Sequence, residues 1–214
     1  MFQEYLQRII LTAPPILLAL TVHECAHAYT AYKLGDPTAK LLGRVTLNPL
    51  KHLDPIGTIM LFFSGLFGWA KPVPINPRYF KDPARAIVWV SLAGPLSNLF
   101  LAALSALAYK LFMVAGVGGF LAGVPGLYKP LFLMVRWSIL INVSLAVFNL
   151  VPVPPLDGSK VLANLLPPQK AFAFSRIEPY GFMILLVLIM TGMLDRFISP
   201  LVFLMVGLLT GGVY

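Results

Sequence analysis

The sequence predicts an all-α polytopic membrane protein with about four to six membrane segments. Hydrophobic residues make up 58% of its 214 residues and charged residues only 11%. A soluble domain carries nearer a quarter charged residues. The apolar residues also fall in long runs separated by short basic stretches, and the mean hydropathy is +0.84. The length fits one integral-membrane domain over residues 1–214. Its core is expected at about 8–166 and a C-terminal membrane region at 180–213.

The first span is expected from Arg8 to Tyr32, about 25 residues, with a kink at Pro14-Pro15. Gly35-Asp36-Pro37 should end it. Weak alternation predicts a short strand around Arg44 to Leu47. The apolar run from Ile56 to Trp69 is about 14 residues, short for a full span, and suits a re-entrant or partly inserted segment. The prolines of Lys71-Pro72-Val73-Pro74 forbid a helix and leave Ala70 to Asn76 extended. Ala84 to Tyr109 and Pro130 to Leu150 read as two further spans. Ser159 to Leu166 reads as a short helix. The region from Gly181 to Val213 should break at Asp195-Arg196 and Pro200, giving either two spans or one span and a surface helix.

The net charge is +8, but the basic residues are dispersed over the loops, which argues against a nucleic-acid surface. Residues 33–52 carry Lys33, Lys40, Arg44 and Lys51, and residues 71–85 carry Lys71, Arg78, Lys81 and Arg85. Lys160, Lys170 and Arg176 lie in 151–178, whereas the glycine-rich 110–129 loop has Lys110 and Lys129 only at its ends. Positive charge marks the cytoplasmic side. The first span then runs inward, the second outward and the third inward. The single cysteine, Cys25, permits no internal disulfide. The N-terminus has no basic cluster and does not read as a cleavable signal.

Against that frame, His23-Glu24-Cys25-Ala26-His27 reads as H-E-x-x-H near the C-terminal end of the first span. Residues four apart share a helix face, so His23 and His27 can point at one metal ion, with Glu24 able to reach a water beside it. Two imidazoles and an oxygen ligand suit zinc with an open fourth position. With three His and three Glu in the chain, chance predicts on the order of 0.0006 such motifs. The alternative, two helix histidines satisfied by polar neighbours, is disfavoured because ionisable groups at membrane depth are costly and usually functional. His27 lies six residues before Lys33, about 9 Å along a helix. The charge pattern puts Asp157, beyond the third span, on the same side as the histidines and makes it the candidate third ligand. Asp-Gly is also an ordinary turn dipeptide. However, backbone kinked by Pro152, Pro154 and Pro155 at membrane depth is tolerated only inside protein or beside a cavity.

His-Glu-Cys-Ala-His at 23–27, Ala-Gly-Pro-Leu-Ser-Asn at 93–98, and Asn149 followed by Pro152 and Pro155-Leu156-Asp157-Gly158 together resemble the site-2 protease family of intramembrane zinc metalloproteases. The resemblance spans about residues 10–165, with the motifs in the family's order. It suggests a small member without PDZ or cystathionine-synthase-type domains. It implies one zinc held by His23, His27 and Asp157, Glu24 as general base, and Asn149 near the reacting carbonyl. Gly94, Pro95 and Asn98 match the middle motif, where packing is the expected role. His52 is expected to be structural, paired with Asp54. The implied partners are a transmembrane protein substrate and the bilayer, in a prokaryotic cytoplasmic membrane, with the active site towards the cytoplasm. A membrane metal-binding or transport protein could use the same ligands, as could a non-catalytic scaffold. Transport needs no base beside the ligands, and a scaffold would tolerate loss of one; Glu24 and all three candidate ligands are present.

Overall fold

A computed structural model of the chain describes residues 2–64, 68–114 and 125–212. Among them nine α-helices form and no strand does. They are α1 (Phe2–Lys33), α2 (Thr38–Leu41), α3 (Pro55–Ser64), α4 (Pro83–Met113), α5 (Pro125–Asn149), α6 (Asp157–Leu165), α7 (Pro168–Ser175), α8 (Gly181–Met190) and α9 (Met193–Thr210). Among the described residues five stretches are long and apolar enough to cross a membrane: Gln3–Lys33, Pro83–Met113, Gly126–Asn149, Pro168–Met190 and Met193–Thr210. The protein is an integral membrane protein.

Helix α1 continues through Pro14-Pro15 and stops at Gly35, whose φ of 113° is left-handed backbone that favours glycine. The side chain of Asp82 caps α4 by accepting from the amide of Arg85, and Pro83 takes the first helical position. Helices α1, α4 and α5 pack on one another, and α9 closes against α5 and α4. The core shared by α4, α5 and α9 holds Ala102, Ala106, Ile139, Val143, Val202 and Val206. Alanine on α4 lets the helix backbones approach closely, as membrane packing requires. Ile10, Phe100, Leu104, Phe203 and Leu208 instead face outward on the spans, where lipid rather than water is their solvent.

The ten residues of α3 cover about 15 Å, half a bilayer core. The chain returns to where it left. Leu53 and Ala70 form an isolated antiparallel bridge, and the Lys71 amide donates to the His52 carbonyl at 2.8 Å. The out-and-back path expected of a re-entrant segment is therefore present at both ends of 54–69, although residues 65–67 lie outside the described set.

Three expectations need correction. Residues 44–47 form no strand, and 45–47 are bends, because the local backbone is tied up in the Gly43 turn and the Asn48 cap of the next helical turn. The C-terminal break falls at Thr191-Gly192, where Gly192 takes a φ of 69°. Asp195, Arg196 and Pro200 all lie inside α9; Asp195 stands in its first turn, which favours a carboxylate, and Pro200 is absorbed by the helix. The 110–129 loop is shorter than expected, since α4 runs to Met113 and α5 begins at Pro125; residues 115–124 lie outside the described set.

Candidate metal centre

His23 and His27 lie one turn apart on α1, and both are buried. Asp157 opens α6 and is also buried. Proline-rich residues 150–156 fold back so tightly that a Cβ on Gly158 would overlap the Leu150 carbonyl. That fold carries the carboxylate back beside α1. Nε2 of His23 and Nε2 of His27 are 3.0 Å apart, and they lie 3.2 and 3.1 Å from Oδ2 of Asp157. Among the described residues this is the one group of His, Cys, Asp and Glu side chains arranged to hold a metal ion.

The outer faces of the rings fix their tautomers. Nδ1 of His23 is 2.6 Å from the side-chain oxygen of Asn98, and Nδ1 of His27 is 2.6 Å from the Val90 carbonyl. Both acceptors are oxygens, so both Nδ1 atoms donate and both Nε2 atoms present lone pairs. Together with Oδ2 of Asp157, three acceptors converge on one small volume. Such a set repels itself unless a proton or cation lies among its atoms. Tetrahedral zinc, with bonds of about 2.0–2.2 Å, separates its ligand atoms by about 3.3–3.6 Å. The observed 3.0–3.2 Å is within about 0.3 Å of the lower end of that range, so the donor set fits zinc. Burial alone would raise the Asp157 carboxyl. With a proton held on the facing imidazoles, those rings, with Lys160 at 3.3 Å, outweigh it and hold the group far below the usual carboxylate range.

Two residues expected only to pack belong to the site. A Cβ on Gly94 would overlap the rings of both histidines, so glycine here is what lets α4 press against them. Asn98 is fully buried; besides meeting His23 it donates to the Ala19 carbonyl at 3.2 Å and to Asn142 at 2.9 Å. Asn142 donates in turn to the Ser138 carbonyl, and Ser138 meets Ser105 at 2.8 Å. This polar chain ties α1, α4 and α5 together behind His23. A lone amide within an apolar span is the sequence signal that could have marked Asn98 and Asn142 as more than packing.

Glu24 is partly open to solvent and faces Arg44, whose Nη2 lies 4.0 Å from Oε2. The sequence offered one unused hint of Arg44: an arginine among Leu, Gly and Val must find an acceptor if it is buried. Asn149 ends α5, and its side chain donates to the Leu145 carbonyl at 2.9 Å; no hydrogen bond joins it to the three converging residues among those described. His52 does not pair with Asp54. Its Nε2 meets the Thr46 carbonyl at 2.8 Å, while Asp54 accepts from the Gly57 amide at the start of α3, the ordinary service of an aspartate before a helix.

Residues 126–192 match the model for peptidase family M50. The "Putative zinc metalloprotease YwhC" of Bacillus subtilis (strain 168) is 46% identical over 176 residues, covering 82% of this chain and 78% of the relative. The "Putative zinc metalloprotease Rip2" of Mycolicibacterium smegmatis is 30% identical over 204 residues, covering 93% and 74%. A protein of the same name from Mycobacterium tuberculosis (strain ATCC 25618 / H37Rv) is 30% identical over 191 residues, 87% of this chain and 69% of its own length. No solved structure matches the chain.

Proposed function

The chain belongs to peptidase family M50, the site-2 proteases, and is a membrane zinc metalloprotease; from that premise we propose that it cleaves peptide bonds in or near transmembrane segments of other membrane proteins. The enzyme works as one membrane domain in a prokaryotic cytoplasmic membrane, with its site towards the cytoplasmic side. His23, His27 and Asp157 hold one zinc ion. The convergence of their three acceptor atoms beside Glu24 carries this reading.

Zinc, when bound, supplies a Lewis acid that acidifies water and polarises a carbonyl. The chain's own residues do the rest. Asn98 and the Val90 carbonyl orient the two rings so that Nε2 faces the centre. Glu24 accepts a proton from the attacking water and returns it to the leaving amine. Asn149, at the end of α5, retains a second amide N–H to offer the reacting carbonyl. A helical substrate hides its carbonyls in hydrogen bonds, so it must unwind, and the extended residues 70–76 offer a surface for the unwound strand.

Glu24→Gln keeps the shape of the side chain and removes the base. Purified protein should retain about one zinc per chain and lose about 10²–10⁴-fold of its cleavage of a model transmembrane peptide. Asp157→Ala and His27→Ala should lose both zinc and cleavage. Substantial cleavage by Glu24→Gln would refute the general-base role, and full zinc content in Asp157→Ala would place the third ligand elsewhere.

A further inference from the structure

Arg44 is a buried cation outside the metal cluster, in the irregular stretch between α2 and α3. Its position is set locally. Gly43 takes a φ of 68° and donates to the Lys40 carbonyl, and the Arg44 amide donates to the Ala39 carbonyl. This left-handed exit from α2 turns the next side chain inward. Its guanidinium donates to the Lys71 carbonyl at 2.5 Å and to the Pro72 carbonyl at 3.1 Å. The same Nη2 lies 4.0 Å from Oε2 of Glu24. Arg44 thus stands between one residue of α1 and the extended segment 70–76.

The contacts are poorly chosen for stability alone. Nε of Arg44 is buried without an acceptor among the described residues, which carries an uncompensated desolvation cost. An ion pair at 4.0 Å is at the limit of useful contact and does not repay the burial of a charge. What Arg44 provides, and an apolar residue would not, is a rigid fork that binds a carboxylate and two carbonyls at once.

We propose that Arg44 is a positioning residue that couples Glu24 to segment 70–76, so that the base and the backbone facing the substrate hold one fixed relation. The proposal rests on Glu24 being the base. The anchoring of the segment on its other sides fits this role. Its start is held by the Lys71 amide on His52, and its end by the Asn76 amide on Asp36 at 2.7 Å. Between these ends Arg44 holds the Lys71 and Pro72 carbonyls, next to Val73, whose backbone has no hydrogen-bond partner among the described residues.

The test is a double-mutant cycle read by amide hydrogen exchange on the zinc-loaded full chain. Arg44→Ala should speed exchange at Lys71 about fivefold. Glu24→Ala should do the same although Glu24 touches no residue of the segment, and the double variant should exchange no faster than Arg44→Ala alone. Unchanged exchange in Glu24→Ala would overturn the coupling. In parallel, Arg44→Ala should keep its zinc but lose about tenfold or more in kcat on the model transmembrane peptide. Ethylguanidinium added to the assay should restore part of that loss, a rescue that no purely structural role predicts. If Arg44→Ala does not fold, Arg44→Lys takes its place in both measurements; it keeps a charge but loses the fork, and should fall between the two. An Arg44 variant with unaltered kcat would also overturn the proposal. Cleavage surviving in Glu24→Gln with the exchange coupling intact would refute the base assignment while leaving the Arg44 link standing.

Discussion

The side-chain oxygen of Asn98 lies 2.6 Å from Nδ1 of His23, and through that contact α4 sets which nitrogen α1 presents to His27 and Asp157. Asn98 is itself oriented by Ala19 and Asn142. Outer-shell partners of this kind are typically worth about 10–100-fold in metal affinity. Asn98→Leu should lower zinc affinity by that factor, measured by chelator competition on folded protein. Asn142→Leu leaves the Asn98 amide short of an acceptor and should give a smaller loss. Unaltered affinity in Asn98→Leu would mean that the His23 ring is held by the helix alone.

Gly94 gives a steric version of the same test. A methyl group there meets both imidazole rings, and the far side of each is blocked by its own partner. Gly94→Ala should therefore displace the rings, lower zinc affinity by more than Asn98→Leu does, and reduce cleavage with it. The polarity of the site is unchanged by this substitution. A variant with normal zinc binding would show that α4 can shift away from α1 at little cost.

The charge pattern predicts opposite sides for the two ends of α4. Arg78 lies just before that helix and Val114 just after it, and both are exposed. Single cysteines at these two positions, in a Cys25→Ala background, should react with an impermeant thiol reagent from opposite faces of sealed vesicles. Reaction of both from one face would overturn the inward placement of the site.

Strand addition to the extended segment is now confined to a short stretch. The Lys71 amide and the Lys71 and Pro72 carbonyls are already used within the chain, and the Asn76 amide is taken by Asp36. Ile75 packs beside the cluster of Ala31, Phe80, Ala86 and Val90, so Val73 is the cleaner probe. Val73→Pro removes an N–H that has no acceptor among the described residues and should raise KM about tenfold while zinc content stays normal, as loss of a substrate-binding contact requires. An unchanged KM would mean that substrate does not pair there.

The chain by itself fixed the helical membrane class, because long apolar runs with few charges have no other stable form in lipid. It also marked His23, Glu24 and His27, because a helix repeat puts positions four apart on one face whatever surrounds them. Asp157 was legible only through a resemblance and a charge count, since local periodicity says nothing about a residue 130 positions from His27. The contacts of Gly94, Asn98 and Arg44 were decided by tertiary structure alone. Each depends on how closely two separate segments approach, and that distance is set by side-chain volume and hydrogen bonds across the interface rather than by any pattern along one helix. The break at Gly192 was missed for a related reason. A charged pair and a proline looked like the stronger stop, but the first turn of a helix accepts an acidic residue and a membrane helix tolerates proline, whereas left-handed backbone favours glycine.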